Sequence, residues 1–147
     1  MYTIGQVSKM FNIPISTLRY YDKEGLFPGI ERISGQRKFS DDELESIRVI
    51  ETLKNAGMQL KDIRQYMQWC AEGDSTYSKR LNLFETQRQN LEIQIHLLEK
   101  SMAMIKFKCW YYDQVIKEGS SENIIKMVPN HLPDEIQRLY DFAHDID

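Results

Sequence analysis

The sequence predicts a mainly α-helical chain: a small head of four helices with a short β-hairpin, then one long coiled-coil helix and a short C-terminal helix. Three observations predict it. Within the first 73 residues, apolar positions recur at helical spacing between breaks at Pro14, Gly25, Gly57 and Gly73. Residues 27–39 change to a β-prone stretch around a Ser34-Gly35 turn signal. From Ser75 to Glu118 neither Pro nor Gly interrupts the chain.

Each element has its own signal. Thr3 and Gln6 form a capping-box pattern, so a first helix starts there and runs to about Phe11, with Ile4, Val7, Met10 and Phe11 on one face. Pro14 disfavours a helical Ile13 and ends it. A second helix spans about Ile15 to Glu24 and stops at Gly25, which suits a left-handed cap. Two short helices joined by a three-residue turn outline a helix-turn-helix, and the hairpin after them is placed as a wing. Ser40 before Asp41-Asp42-Glu43 starts a third helix, with acids at its positive end. It carries Leu44, Ile47, Val49, Ile50 and Leu53 and stops at Gly57. A fourth runs from about Leu60 to Ala71, with Ile63, Met67 and Cys70 expected inward.

The uninterrupted stretch is about 60 Å of helix at 1.5 Å per residue. Steps of three and four from Leu81 give Leu81, Phe84, Arg88, Leu91, Ile95, Leu98, Met102, Ile105, Cys109 and Tyr112. Such a heptad stripe predicts a coiled coil and therefore a partner helix. The expected organisation is a head over residues 1–73, a dimerisation helix over 75–119, and a tail over 120–147 with a helix near 134–144.

Composition narrows the function. Hydrophobic residues are 41% and charged residues 28% of 147, which places the chain with globular proteins. No run approaches the roughly 18 apolar residues of a spanning helix, and the start lacks a signal-peptide pattern, so a cytoplasmic location is expected. Cys70 and Cys109 lie apart from each other, with no close His beside either, and read as reduced thiols. His96, His131 and His144 are isolated in sequence, so no metal and no cofactor is expected. The net charge is −3, but residues 1–40 hold six Lys/Arg against three acids, a balance of +3, leaving 13 against 19, or −6, for the remainder. That segregation points to a polyanion-facing head on an acidic body. Neither a nucleophile-base pair nor a Gly-rich phosphate cradle is present, and no enzyme is expected.

The segments Thr-Ile-Gly-Gln-Val-Ser (3–8), Ile-Ser-Thr-Leu-Arg-Tyr-Tyr-Asp-Lys-Glu-Gly-Leu (15–26) and Gly-Gln-Arg-Lys-Phe-Ser (35–40) closely resemble the MerR family of bacterial transcription regulators. The resemblance covers about residues 1–119. It implies a winged helix-turn-helix head, an antiparallel dimerising coiled coil, double-stranded promoter DNA as partner, and RNA polymerase as an indirect one. In a helix-turn-helix the second helix enters the major groove, which puts Ser16, Thr17 and Arg19 near base edges. Arg19 can fork onto a guanine. Tyr20 and Tyr21 can donate to phosphates, with core packing as the other reading of each. Thr3 at the start of the first helix is counted with these contacts. Arg37 and Lys38 in the wing would reach flanking phosphates. Lys61, in the first turn of the fourth helix, resembles a family phosphate contact and is otherwise an ordinary surface lysine.

The residues assigned to dimerisation are Leu81, Phe84, Leu91, Ile95, Leu98, Met102 and Ile105. Trp110, Tyr111 and Tyr112 either line a pocket for a small-molecule inducer or pack against the partner's head. Metal-sensing relatives carry cysteines where this chain has Ser75-Thr76-Tyr77, and thiol-sensing relatives carry one at the position of Thr52. Both mechanisms are therefore not expected. The sequence reading is a homodimeric regulator that grips two half-sites of a pseudo-palindromic promoter and distorts the DNA between them. A coiled-coil adaptor with a winged fold used for protein contacts is one alternative, and a simple repressor without DNA twisting is the other.

Overall fold

In the computed structural model, which describes residues 1–145, the elements run β1 (Tyr2–Thr3), α1 (Ile4–Phe11), α2 (Ile15–Lys23), β2 (Glu31–Ile33), β3 (Gln36–Phe39), α3 (Asp41–Asn55) and α4 (Leu60–Glu72). A 3-10 turn (Asp74–Thr76), α5 (Tyr77–Glu118), α6 (Glu122–Ile125) and α7 (Asp134–His144) follow. The chain divides into two units, Met1–Arg88 and the stretch from Gln89 onward.

Local chemistry starts and stops the head's elements. Thr3 Oγ1 accepts from the Gln6 amide at 3.2 Å while Gln6 Oε1 accepts from the Thr3 amide at 2.9 Å, so two orphan donors of α1 satisfy each other's side chains. Asn12 ends α1 in the left-handed region at φ 54. Pro14 then caps α2, whose first amides bond back to its carbonyl. A second capping box joins Ser40 and Glu43 at the start of α3. Ser34 and Gly35 have φ of 54 and 76, the conformation a two-residue hairpin turn requires. That turn fixes the register Ile33↔Gln36, Arg32↔Arg37 and Glu31↔Lys38. The sheet also gains β1, which the sequence did not signal: Tyr2 pairs with Phe39 and Thr3 with Lys38, in the order β1-β3-β2. Two residues are too few to show an alternating pattern.

One apolar core holds this unit together. Val7, Leu18, Tyr21, Leu26, Phe39, Ile47, Ile50 and Ile63 are all but fully buried. Phe27 meets the rings of Phe39 at 5.6 Å and Tyr21 at 6.4 Å, edge to face in both cases. Ile63 and Met67 of α4 point inward as expected, but Cys70 is exposed; its place in the last turn of α4 puts it past the core. The first turns of α5 belong to this unit too. Leu83 and Phe84 pack against the core, Phe84 edge-on to Tyr66 at 4.9 Å. Phe84, assigned to the dimer seam by its heptad position, is thus spent within the chain. Beside it, Arg80 Nη2 donates to the carbonyls of Trp69 and Gly73 at 3.1 and 2.7 Å. The buried Thr76 hydroxyl bonds the same two carbonyls. These groups satisfy the exposed acceptors at the C-terminal end of α4.

In the second unit, Ala103 and Phe107 of α5 are buried together with Ile124 of α6 and Leu132. The four-residue α6 was not foreseen, since it is shorter than any periodic signal. Gln137 of α7 pins the loop before it, donating to the Pro129 carbonyl at 2.7 Å and accepting from the Leu132 amide at 3.1 Å. The buried positions of α5 here lie off the heptad seam. Ile95, Leu98, Met102 and Ile105 remain exposed, as does Leu81 nearer the start of α5, while Leu91 is half-buried.

Candidate nucleic-acid interface

Helical phase sorts the residues of α2. Leu18 and Tyr21, three apart, fall on the buried face, so Ser16, Arg19 and Tyr20 are left exposed and Thr17 half-exposed. Arg19 forms no ion pair with any described residue, and Tyr20 keeps 49% of its surface in solvent. A long cation and a phenol on the outer face of such a helix can meet an anionic ligand without first breaking an internal bond.

Tyr21 is different. Its side chain is buried, its hydroxyl donates to Glu51 Oε1 at 2.7 Å, and Lys54 Nζ donates to that hydroxyl at 2.5 Å. Burial, then the bond to Glu51 and its charge, raise its pKa well above the ordinary phenol value. The expectation of a phosphate contact from Tyr21 is therefore corrected: the residue ties α2 to α3.

The wing stands beside α2 through Asp22. Its Oδ2 accepts from Arg37 Nε at 2.6 Å and from Arg32 Nη2 at 2.7 Å, with only 9% of the Asp22 side chain exposed. Arg37, expected to be free for phosphate, is 22% exposed and committed to this pair. Arg32 is half exposed. Sequence reasoning missed both Asp22 and Arg32, although the Ser34-Gly35 turn fixes a register in which Arg32 faces Arg37. Like charges directly opposite are unfavourable, so an acid near them was inferable.

Between α2, β3 and the chain's first residues lies a cleft of about 280 Å³ whose lining includes Thr3, Arg19, Gln36 and Arg37. It brings together three of the expected contact residues. The Thr3 hydroxyl oxygen accepts from the Gln6 amide in the α1 cap, which leaves its O–H able to donate. Lys38, half-buried in the central strand, and Lys61, exposed in the first turn of α4, lie outside the cleft. Arg64 joins α4 to the end of α2 by an ion pair with Glu24 at 3.2 Å.

In the second unit, Tyr111 lines a separate cavity, whereas Trp110 and Tyr112, for which the sequence offers a pocket as one of two readings, do not. Trp110 stacks on Phe107 and Tyr112 meets the edge of Tyr111. His144, read as isolated, stacks on Tyr140 and shares that cavity. Among the described residues no group of three or more His, Cys, Asp or Glu could hold a metal ion.

The sequence model of the MerR helix-turn-helix regulatory protein family matches residues 2–69. A helix-turn-helix transcriptional regulator of uncharacterised role from Haemophilus influenzae is 38% identical over 120 residues, covering 81% of this chain and 89% of the relative. The crystal structure of HiNmlR, a MerR family regulator lacking the sensor domain and bound to promoter DNA, superposes with a TM-score of 0.72 at 36% identity. It covers 83% of this chain and 98% of that one. A MerR family transcriptional regulator from Bacillus thuringiensis superposes with a TM-score of 0.66 at 44% identity, covering 74% of this chain and 96% of its own.

Proposed function

The chain belongs to the MerR family of helix-turn-helix transcription regulators, and from that premise we propose that it binds a pseudo-palindromic promoter as a homodimer through α2 and the wing. The observation that carries this reading is the pair of exposed side chains on α2. Arg19 lines a cleft that also holds Arg37, and Tyr20, next to it in α2, faces solvent, in a segment carrying a balance of +3. Arg19 reads a base edge in the major groove and Tyr20 fixes register on a phosphate. Lys38 and Lys61 add phosphate contacts, the latter at a helix start whose free amides also favour anions. Asp22 holds Arg37 and Arg32 so that the wing presents its basic edge at a fixed distance from α2.

The rest of the chain divides the remaining work. Residues 1–73 form the DNA-binding part, 75–119 the dimerisation helix and 120–147 the tail. The exposed apolar stripe of α5 is the surface a second copy covers. The relatives are transcriptional regulators from bacteria, no described helix is long and apolar enough to cross a membrane, and we place the protein in the cytoplasm with the chromosome. Transcription changes because the bound dimer distorts the DNA that RNA polymerase must engage.

The test separates reading from gripping. Fluorescence anisotropy on a selected operator and on random DNA should show Arg19→Ala losing about 1–3 kcal/mol on the operator and relaxing preference at one base pair per half-site. Lys38→Ala should weaken both DNAs alike and shallow the salt slope by about one unit. Equal losses on operator and random DNA for Arg19→Ala would refute its reading role.

A further inference from the structure

The cavity of the second unit has the composition of a ligand site. Its volume is about 280 Å³, near the lower end of the roughly 300–1,000 Å³ of small-molecule pockets, which limits the occupant to about one ring. Phe107, Tyr111 and Tyr140 give it aromatic walls, with Phe107 meeting Tyr140 edge to face at 5.1 Å. Met104, Ile125 and Val128 close the sides. Two nitrogen-bearing side chains complete the lining. Lys108 Nζ stands 5.3 Å from the centre of the Tyr111 ring and 5.6 Å from that of Phe107. The His144 ring stacks on Tyr140 at 4.0 Å, its Nδ1 2.8 Å from the Tyr140 carbonyl. No carboxylate belongs to the lining.

We propose that this cavity binds a small aromatic carboxylate, its ring between Phe107, Tyr111 and Tyr140 and its carboxylate on Lys108, with His144 beside it. Aromatic walls favour a flat ring met edge-on or offset. An ammonium held beside the cavity's ring faces can make a charge-assisted hydrogen bond to an anionic partner seated there. A cationic ligand would gain from the ring faces but would meet the Lys108 ammonium with no carboxylate in the lining to neutralise it. The binding site is independent of the DNA-binding reading, and its test requires no DNA.

Isothermal titration of the full-length protein with benzoate should give one saturable site per chain, with Kd on the order of 0.1–1 mM for so few atoms. Benzylamine, which keeps the ring and reverses the charge, and acetate, which keeps the charge and lacks the ring, should each bind at least about tenfold more weakly. Lys108→Met, at an exposed position, should lower benzoate affinity about tenfold while leaving benzyl alcohol unchanged. Ile125→Trp, also exposed, should fill the cavity and abolish binding of both with the melting temperature retained. No saturable heat with benzoate, benzylamine binding as well as benzoate, or unaltered benzoate binding in either variant would overturn the proposal.

Discussion

The carboxylate of Asp22 sits between two guanidinium groups that the hairpin register would otherwise set against each other. The bond to the mostly buried Arg37 is charge-assisted, and the one to half-exposed Arg32 is screened by solvent. Asp22→Asn should therefore cost about 1–2 kcal/mol in urea unfolding. It should also free positive charge at the wing, tightening binding to random DNA and steepening its salt slope by about one unit. An unchanged slope would show that the arginines are not restrained by Asp22. Much at this scale was legible and some was not. Leu18 and Tyr21 are one helical turn apart, so once Leu18 faces the core Tyr21 must follow, and Tyr20, one step off that face, is left for solvent. The partners that complete the picture, Glu51 and Lys54 for Tyr21, lie some thirty residues away on α3, and a local pattern carries no information about them.

Helices α1 to α5 and the hairpin follow from capping residues, turn residues and apolar period because those signals act within a few residues. Elements shorter than a period, β1 and α6, leave no such trace. α5 shows where a period misleads. Apart from Arg88 and Cys109 its heptad positions are apolar or aromatic from Leu81 onward, yet Phe84 packs on Tyr66, and the buried residues of α5 beyond Gln89 are Ala103 and Phe107, off the seam. A 42-residue helix has more than one apolar face to cover. Its own chain covers one of these faces, and Leu91, Ile95 and Leu98 lie on the other. Changing those three to Lys removes apolar burial from both copies at roughly 1.5–3 kcal/mol per side chain and sets like charges together. Sedimentation should then show a folded monomer without operator affinity. A triple variant that still sediments as a dimer would move the interface elsewhere on α5.

At the scale of the molecule, the sequence already separates a basic first forty residues from an acidic remainder, +3 against −6, which gathers the excess positive charge in the segment that holds α2 and the hairpin. A homodimer doubles the basic surface and relates the two copies of α2 by a two-fold axis, so that one dimer reads two half-sites. A dimer on DNA can block polymerase or help it, and promoter geometry decides between them. If the operator lies between the two promoter elements, and their spacer is about two base pairs too long, one element is displaced by roughly 7 Å at 3.4 Å per base pair. It is also rotated by roughly 70° at about 10.5 base pairs per turn. A dimer fixed to both half-sites can bend and untwist the DNA between them at a cost of about a few kcal/mol, to be offset by the phosphate contacts proposed for Tyr20 and Lys38. A signal then acts by favouring the distorting form of the dimer over the passive one. Deleting about two base pairs from such a spacer does by covalent change what the protein does by strain. Transcription in vitro from the shortened promoter should be high without any regulator, and adding this protein should not raise it further. If the shortened promoter stays silent, or the natural spacer proves to be of ordinary length, twisting is excluded and the bound dimer acts as a simple repressor.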